Sequence, residues 1–476
     1  MWTFRDSVTS KIWALVCFAT LAACSGAGAG GGGTSLPATG PVSGDTNGPI
    51  GAVGSMLSSP APTGTAAALS TAAPVGTANG LISSTSGRIG LFQAFDFHMT
   101  AAQRIAAGPR YDVVWGGNYP AQWLTNHASI VVSYYFIMEQ SDPKHTLAWY
   151  QANHPDWILY NCTSSGTPTH TVAYMPGQTS VPLDIRNPSV VDFQIRTMAA
   201  PPVIASNYTA LAVDQVVFTT PMGGNAGAGS YGCGVYQGSN FLTRYTGKKD
   251  PGWASDTVNW VKAAKGILTS DPAIAPHHIK LIINHPAGNI SDPNEQSLLA
   301  NVDAAVNEVG FSDYGNYTKE PARFATSLDY MTYEQSQGVT ALVIDKFIQS
   351  GKLTAIQREW SIGTYLMGNN GSALLYATYG GLGTGGYGLE YYYPEYTTAM
   401  GAPCGAVYKD SSSPDVYERA FENGFVAVNA GTKTTEAAHL PTHVYTDIES
   451  RTVVNPLLVP KTDSYVMTTV AGTGCL

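Results

Sequence analysis

The sequence predicts an α/β protein, a (β/α)8 barrel followed by a small C-terminal antiparallel β domain. Three observations predict it. Eight short apolar runs follow one another between Ile89 and Thr378, most of them continuous, which is how strands covered on both faces read. Helix-like stretches lie between several of these runs, and repeated strand–helix alternation points to a closed parallel barrel. After Pro403 the texture changes to short alternating or β-branched runs separated by Gly, Asn and Pro, the pattern of antiparallel strands.

In chain order the expected strands are Ile89–Asp96, Tyr111–Trp115, Ser129–Met138, Ala210–Val217, Ile279–Asn284, Val302–Gly310, Ala341–Asp345 and Ala373–Thr378. Pro188–Met198 reads as a helix: Asn187 caps it, Pro188 sits in the first turn, and Val190, Val191, Phe193 and Ile195 supply apolar positions. Asp256–Ile267, Glu295–Asn301, Arg323–Gln335 and Lys346–Gly351 read similarly. The stretch Tyr160–Pro182 is an expected β excursion after the third strand. The barrel is assigned residues 87–400, within the usual size once insertions are allowed. Residues 401–476 form the sheet domain, with strands expected at Gly405–Tyr408, Gly424–Asn429, His443–Thr446 and Ser464–Val470.

Residues 1–24 read as an export signal. Arg5 and Lys11 give a positive start, and the apolar stretch Ile12–Ala23 is only twelve residues long, short of the ~20 that span a bilayer. It ends in Leu21-Ala22-Ala23-Cys24, which resembles the bacterial lipobox, whose Cys is acylated and becomes the mature N-terminus. The expectation is a lipoprotein exported to the bacterial cell envelope and held in a membrane through lipid on Cys24. Ser25 rather than Asp follows, which favours the outer membrane. Residues 25–86 are mostly Gly, Ala, Ser, Thr and Pro. Such a segment buries too little apolar surface to offset its ordering entropy and is expected to be a flexible tether.

Composition narrows the partners. Charged residues make up 12% of the chain and the net charge is −9, which argues against nucleic acid, a ligand held mainly by clustered Lys and Arg. Low charge with 27 Tyr and 9 Trp suits neutral, polar partners. Beyond Cys17 and Cys24 the cysteines are Cys162, Cys233, Cys404 and Cys475. In an exported protein these permit two disulfides; proximity suggests Cys162 with Cys233 and Cys404 with Cys475, among the three pairings that four cysteines allow. No C-x-x-C pair, H-E-x-x-H or EF-hand loop occurs, and the adjacent His277 and His278 do not share a face, so neither metal nor cofactor is expected. The stretch Gly381–Gly386 matches G-x-G-x-x-G but no apolar helix follows it, so it reads as a loop at the barrel mouth. A G-x-S-x-G elbow is missing, which weighs against an α/β-hydrolase esterase.

In a barrel the chemistry sits at the C-terminal ends of the strands. Those ends carry Asp96 and His98, Glu139, Asp214, Asn284 and His285, Glu308, and Asp345. Hydrolysis of a glycosidic bond needs two carboxyl groups flanking that bond, one of them with a raised pKa. Glu308 lies among Val306, Val309 and Phe311, apolar neighbours that suit an acid; Asp214 is then the base or nucleophile. Asp96, His98, Glu139, Asn284 and Asp345 are expected to bind sugar hydroxyls or to brace neighbours. Trp115, Tyr134 and Tyr135 fall on strands and Tyr387 follows the eighth; aromatic faces suit the C–H faces of sugar rings, so Trp115, Tyr134 and Tyr387 join the expected substrate-binding set. Asp184 and Arg186 are expected to form a turn and an ion pair before the Pro188 helix. A glycan-binding module on the same scaffold needs neither catalytic carboxylate, so it is the weaker reading.

Several stretches carry a resemblance. Asn153-His154-Pro155-Asp156-Trp157, Pro182-Leu183-Asp184-Ile185-Arg186-Asn187-Pro188, Ala210–Asp214 and Tyr417-Glu418-Arg419-Ala420-Phe421-Glu422-Asn423-Gly424 look like a glycoside-hydrolase-like family of bacterial barrel lipoproteins, the hypothetical family fifteen of that class. That family is in turn similar to α-galactosidase-like and polygalactosaminidase-like barrels. The resemblance covers roughly residues 87–476. It implies a (β/α)8 TIM barrel, a polysaccharide or oligosaccharide substrate, and a catalytic pair ending strands four and six, which fall here on Asp214 and Glu308.

Overall fold

The computed structural model describes residues 81–82, 85, 87–141, 144–223, 229–313, 321–348, 351–380, 386–409 and 411–475. The export signal with Cys24, nearly all of the tether and most of the Gly381–Gly386 loop lie outside the described residues. Eight parallel strands form one sheet in sequence order: β1 (Phe92–Ala94), β2 (Val113–Trp115), β3 (Val131–Ile137), β4 (Ala210–Asp214), β5 (Lys280–Asn284), β6 (Ala304–Asn307), β7 (Thr340–Phe347) and β8 (Ala373–Tyr379). A parallel bridge between Leu91 and Leu375 brings β1 against β8 and rounds the sheet into a barrel. Each expected run thus holds one barrel strand.

The strands are buried on both faces, and their residues alternate between two apolar cores. Phe92, Trp115, Ala212, Ile282, Val306 and Ile344 point into the barrel. Leu211, Val213, Leu281, Ile283 and Ala305 point outward, where they meet helices such as Pro251–Ser270 through Trp260 and Val261. This parity of two along each strand decides which rim residues face the barrel axis.

One expected helix is corrected. Lys346 and Phe347 extend β7, paired with Thr378 and Tyr379 of β8, and the helix lies at Ala355–Gly368. Its start is marked by a capping box in which Thr354 and Gln357 satisfy each other's backbone amides. The Asp184–Arg186 ion pair is corrected as well: the Asp184 carboxylate pairs with Arg244 at 2.9 Å and accepts only the backbone N–H of Arg186.

The β excursion is larger than expected. Tyr160–Cys162 and Pro168–Val172 join Tyr231–Gln237 and Asn240–Thr243, from the segment after β4, in a four-stranded antiparallel sheet. A disulfide between Cys162 and Cys233 fastens its two middle strands. The C-terminal sheet runs in the order Tyr408–Lys409, Val416–Phe421, Gly424–Asn429, Asp463–Thr468, Thr446–Asp447, with a separate pair formed by Glu436–Ala438 and Leu457–Val459. A second disulfide joins Cys404 to Cys475. The sheet docks on the helix Ala355–Gly368. There the Arg419 guanidinium donates to the carbonyls of Leu366, Met367 and Asn369, satisfying a helix C-terminus that would otherwise be buried unpaired. No helix among the described residues is long and apolar enough to cross a membrane.

Candidate active site

Parity places Asp214 on the barrel's inner face at the C-terminal end of β4, in line with Ala210 and Ala212. Asn284 takes the corresponding place on β5. Glu308 follows directly on β6, in line with Ala304 and Val306. The Asn284 side-chain nitrogen donates to both acids, at 2.8 Å to Asp214 Oδ1 and 3.0 Å to Glu308 Oε2. Those two oxygens are therefore no more than 5.8 Å apart, the sum of the two bonds. A trigonal amide nitrogen that gives one hydrogen to each acceptor sets them at ~5 Å.

Each acid has further donors of its own. Asp214 accepts from the Tyr135 hydroxyl and, at 2.7 Å, from the backbone N–H of Gln215. Gln215 sits at φ 61°, in the left-handed region, and this turn folds its amide back onto the preceding carboxylate. Glu308 meets the Tyr387 hydroxyl at 2.6 Å. Burial raises the pKa of both acids. For Glu308 the nearby charge of Asp214 raises it further, while Tyr387, Asn284 and the Lys346 ammonium oppose the rise. For Asp214 the bonds from Tyr135, Gln215 and Asn284 oppose it. Asp214 is 5% exposed and Glu308 more open, so the pair is reachable from solvent through Glu308.

Opposite Asn284 stands an aromatic wall centred on Phe95. Its ring lies 4.8 Å from Trp115, 5.3 Å from Tyr135, 5.6 Å from Tyr387 and 5.7 Å from Phe97, between ring centroids. Phe95 has φ 56°, and Gln93 holds the turn by donating to the Phe95 carbonyl at 2.9 Å. A non-glycine residue kept in this sparsely populated conformation is characteristic of functional rims. Phe95 thus backs both tyrosines that touch the acids.

The other expected residues take different places. Trp115 and Tyr387 belong to the wall, and Asn284 bridges the acids. His98 is exposed at the mouth beside Phe97, with ring centroids 4.6 Å apart. Glu139 is fully buried, neither of its carboxylate oxygens has a hydrogen-bond partner among the described residues, and burial together with the Asp214 charge pushes its pKa well up. Closed off from solvent, Glu139 has no surface to offer a sugar hydroxyl, which corrects its expected binding role.

Three further expected contacts are corrected. The Asp96 carboxylate is saturated by Arg104 at 2.7 Å, the Trp123 indole at 2.9 Å and the Asn118 side chain at 2.6 Å. With no exposed surface, it braces the rim and offers nothing to a sugar. Asp345 points outward, because the inward parity of β7 runs through Leu342 and Ile344. It accepts the N–H groups of Phe311 and Ser312 at 2.8 and 2.9 Å, which fixes the loop after Glu308. Tyr134 also points outward and packs against Tyr208. Its neighbour Tyr135 is the inward one.

Lys346 and Phe95 are site residues that the apolar runs do not single out. Alternation from Leu342 and Ile344 would have pointed to Lys346; nothing in the letters marks the left-handed turn at Phe95. His285, outward on β5, contributes from behind: it meets the Val216 carbonyl at 2.5 Å and Glu295 at 2.9 Å, pinning the loop that follows Asp214. Among the described residues no group of His, Cys, Asp and Glu is arranged to hold a metal ion.

No family model matches the chain, and no curated protein matches it. Among similar solved structures is an α-amylase from Anoxybacillus, 10% identical with a TM-score of 0.41, the likeness covering 79% of this chain and 92% of that one. An α-amylase from Geobacillus thermoleovorans is 11% identical with a TM-score of 0.38, over 81% of this chain and 98% of that one. A Flavobacterium johnsoniae dextranase is 12% identical with a TM-score of 0.39, over 82% and 52%.

Proposed function

We propose that this chain is a glycoside hydrolase that cleaves an extracellular or envelope polysaccharide with Asp214 and Glu308, and that it works from the cell envelope, anchored by lipid on Cys24. The proposal includes the family likeness drawn from the four sequence stretches. One observation carries the reading: two buried acids accept from the same Asn284 nitrogen at the rim of a barrel. The separation of ~5 Å set by that shared amide matches the ~5–5.5 Å of retaining enzymes rather than the ~6.5–9.5 Å of inverting ones.

In the first step Asp214 attacks the anomeric carbon. The glycosidic C–O bond breaks, and the leaving oxygen takes the proton of Glu308. In the second step water attacks that carbon, its proton passes to Glu308, and the bond to Asp214 breaks. Asp214 suits the nucleophile because three donors orient and stabilise its carboxylate. The aromatic wall around Phe95 provides an apolar face for the sugar ring.

The test is a panel of polysaccharides and oligosaccharides incubated with the full chain. New reducing ends are expected from the wild type, and none above background from Asp214→Asn or Glu308→Gln. The first product of a cleaved substrate, followed by proton NMR, is expected to keep the anomeric configuration. Full activity in both folded variants would overturn the assignment.

A further inference from the structure

We propose that Lys346 is a positioning residue that sets the charge of Glu308 through Tyr387, keeping the acid able to release its proton and to act as a base afterwards. The inference rests on the role given to Glu308 above. Lys346 lies on the inner face of β7, two residues beyond Ile344, and only 1% of it is exposed. A buried ammonium is costly unless other groups offset it. Here its Nζ stands 4.2 Å from the centroid of the Tyr387 ring, and the Tyr387 hydroxyl lies 2.6 Å from Glu308 Oε1. One tyrosine thus meets the cation with its face and the acid with its hydroxyl. Because the ammonium is closed off from solvent, Lys346 acts through these neighbours and does not itself contact a sugar.

The placement is asymmetric. Lys346 draws Glu308 toward the ionised form, whereas Asp214 owes its stabilisation to Tyr135, the Gln215 amide and Asn284. Among the described residues the groups that face Glu308 are Asp214 from β4, the uncharged Asn284 from β5, Lys346 from β7 and Tyr387 from the segment after β8. Glu139, beyond β3, feels the Asp214 charge. In the free protein burial and the Asp214 charge shift Glu308 toward its protonated form. Once Asp214 is bonded to the sugar, its charge is gone and that of Lys346 remains. Glu308, having given its proton to the leaving group, is then held as the carboxylate that the second step needs.

The experiment reads Glu308 without any substrate. Carbodiimide-driven amine labelling of the full chain across pH, resolved by peptide mass spectrometry, gives the protonation midpoint of Glu308. Lys346→Met is expected to raise that midpoint by about one pH unit or more, a tenfold gain in proton affinity. Lys346→Arg is expected to leave it within ~0.3 unit, because the positive charge persists. Lys346→Gln keeps a polar end and serves as a second neutral variant should the Met variant not fold. On an aryl glycoside that the wild type cleaves, the alkaline limb of the rate profile is expected to rise in parallel, with kcat falling more than KM changes. A midpoint that does not move in a folded neutral variant overturns the proposal. Since labelling needs no turnover, a chain that cleaves no glycoside sinks the hydrolase reading and leaves the link between Lys346 and Glu308 to be judged separately.

Discussion

Among the described residues, two clusters of buried acids invite comparison, each with one cation nearby. At the barrel rim Asp214 and Glu308 share Asn284, with Lys346 close by. At the seam between barrel and sheet, Glu359, Asp447 and Asp463 surround Arg451, whose nitrogens lie 2.5, 3.5 and 2.8 Å from the three carboxylates in that order. The seam acids reach their cation directly, each within 3.5 Å of an Arg451 nitrogen. The rim acids are held by hydroxyls and amides, which orient a carboxyl without neutralising it. Buried acids therefore do not mark a catalytic site by themselves. What sets the rim apart is uncharged donors together with an opening through Glu308.

The sharpest test of this contrast sets activity against stability. Asp214→Asn is expected to reduce turnover on the order of 10⁴-fold or more, and Glu308→Gln about 10²–10⁴-fold. Neither should lower the melting temperature at pH 7. The folded pKa of both acids lies above the ordinary value, so their stabilising contribution is full below the unfolded pKa and is lost as pH rises through the folded one. A neutral amide avoids that loss. Arg451→Met should do the opposite, lowering the unfolding free energy by about 3–5 kcal/mol while the folded fraction keeps its specific activity. Urea melts and kinetics on the same preparations measure both. The contrast breaks if Arg451→Met also abolishes turnover in folded protein.

Much of the rim was legible because parallel strands buried on both faces leave continuous apolar runs, and acids at the ends of those runs stand out in a chain with few charges. The runs located all eight strands, and with them Asp214, Asn284 and Glu308. What they conceal is side-chain direction. A run without alternation carries no mark of which residue faces inward, so Tyr134 was preferred to Tyr135 and Asp345 to Lys346, one place off in each case. The β7 register would have settled the second choice had Lys346 not read as the start of a helix. The segment Tyr231–Gln237 carries no strand signal because its glycines, Gly232 and Gly234, pack against Met222 and Phe241 instead of contributing an apolar pattern. The Phe95 wall depends on a backbone turn whose partners, Trp115 and Gln93, come from the fold rather than from neighbouring letters.

The seam should also answer to pH. The Glu359 carboxyl is pushed up to about 10, first by burial, then by its hydrogen bond to Asp447 and that group's charge, with Arg451 opposing. Glu359 is thus protonated in the folded protein at neutral pH. Its contribution to stability is full below the unfolded value and declines as pH rises, disappearing through about 10. The melting temperature of the wild type is expected to fall between pH 6 and 10, and that of Glu359→Gln to fall less. Activity corrected for folded protein should follow the rim acids in both. Identical stability profiles would mean that Glu359 does not carry the proton.

The smallest expected effects come from two glycines, one in each region. Gly116 follows β2 with φ +72°, and a Cβ there would stand 2.6 Å from two atoms of the Phe95 ring. Gly116→Ala therefore meets both a left-handed backbone, costing about 1–2 kcal/mol, and the ring at the centre of the aromatic wall. Gly363, in the helix Ala355–Gly368, would place its Cβ 2.8 Å from the Ser464 hydroxyl of the docked sheet. Its backbone is helical, so alanine gains up to ~1 kcal/mol of helix propensity that partly offsets the crowding. Both alanine variants are expected to melt a few degrees lower, with Gly116→Ala the more affected. Only Gly116→Ala should also raise KM, because a displaced Phe95 moves against Tyr135 and Tyr387 and through them against both acids. An unchanged KM in Gly116→Ala would mean that the aromatic wall is packing alone.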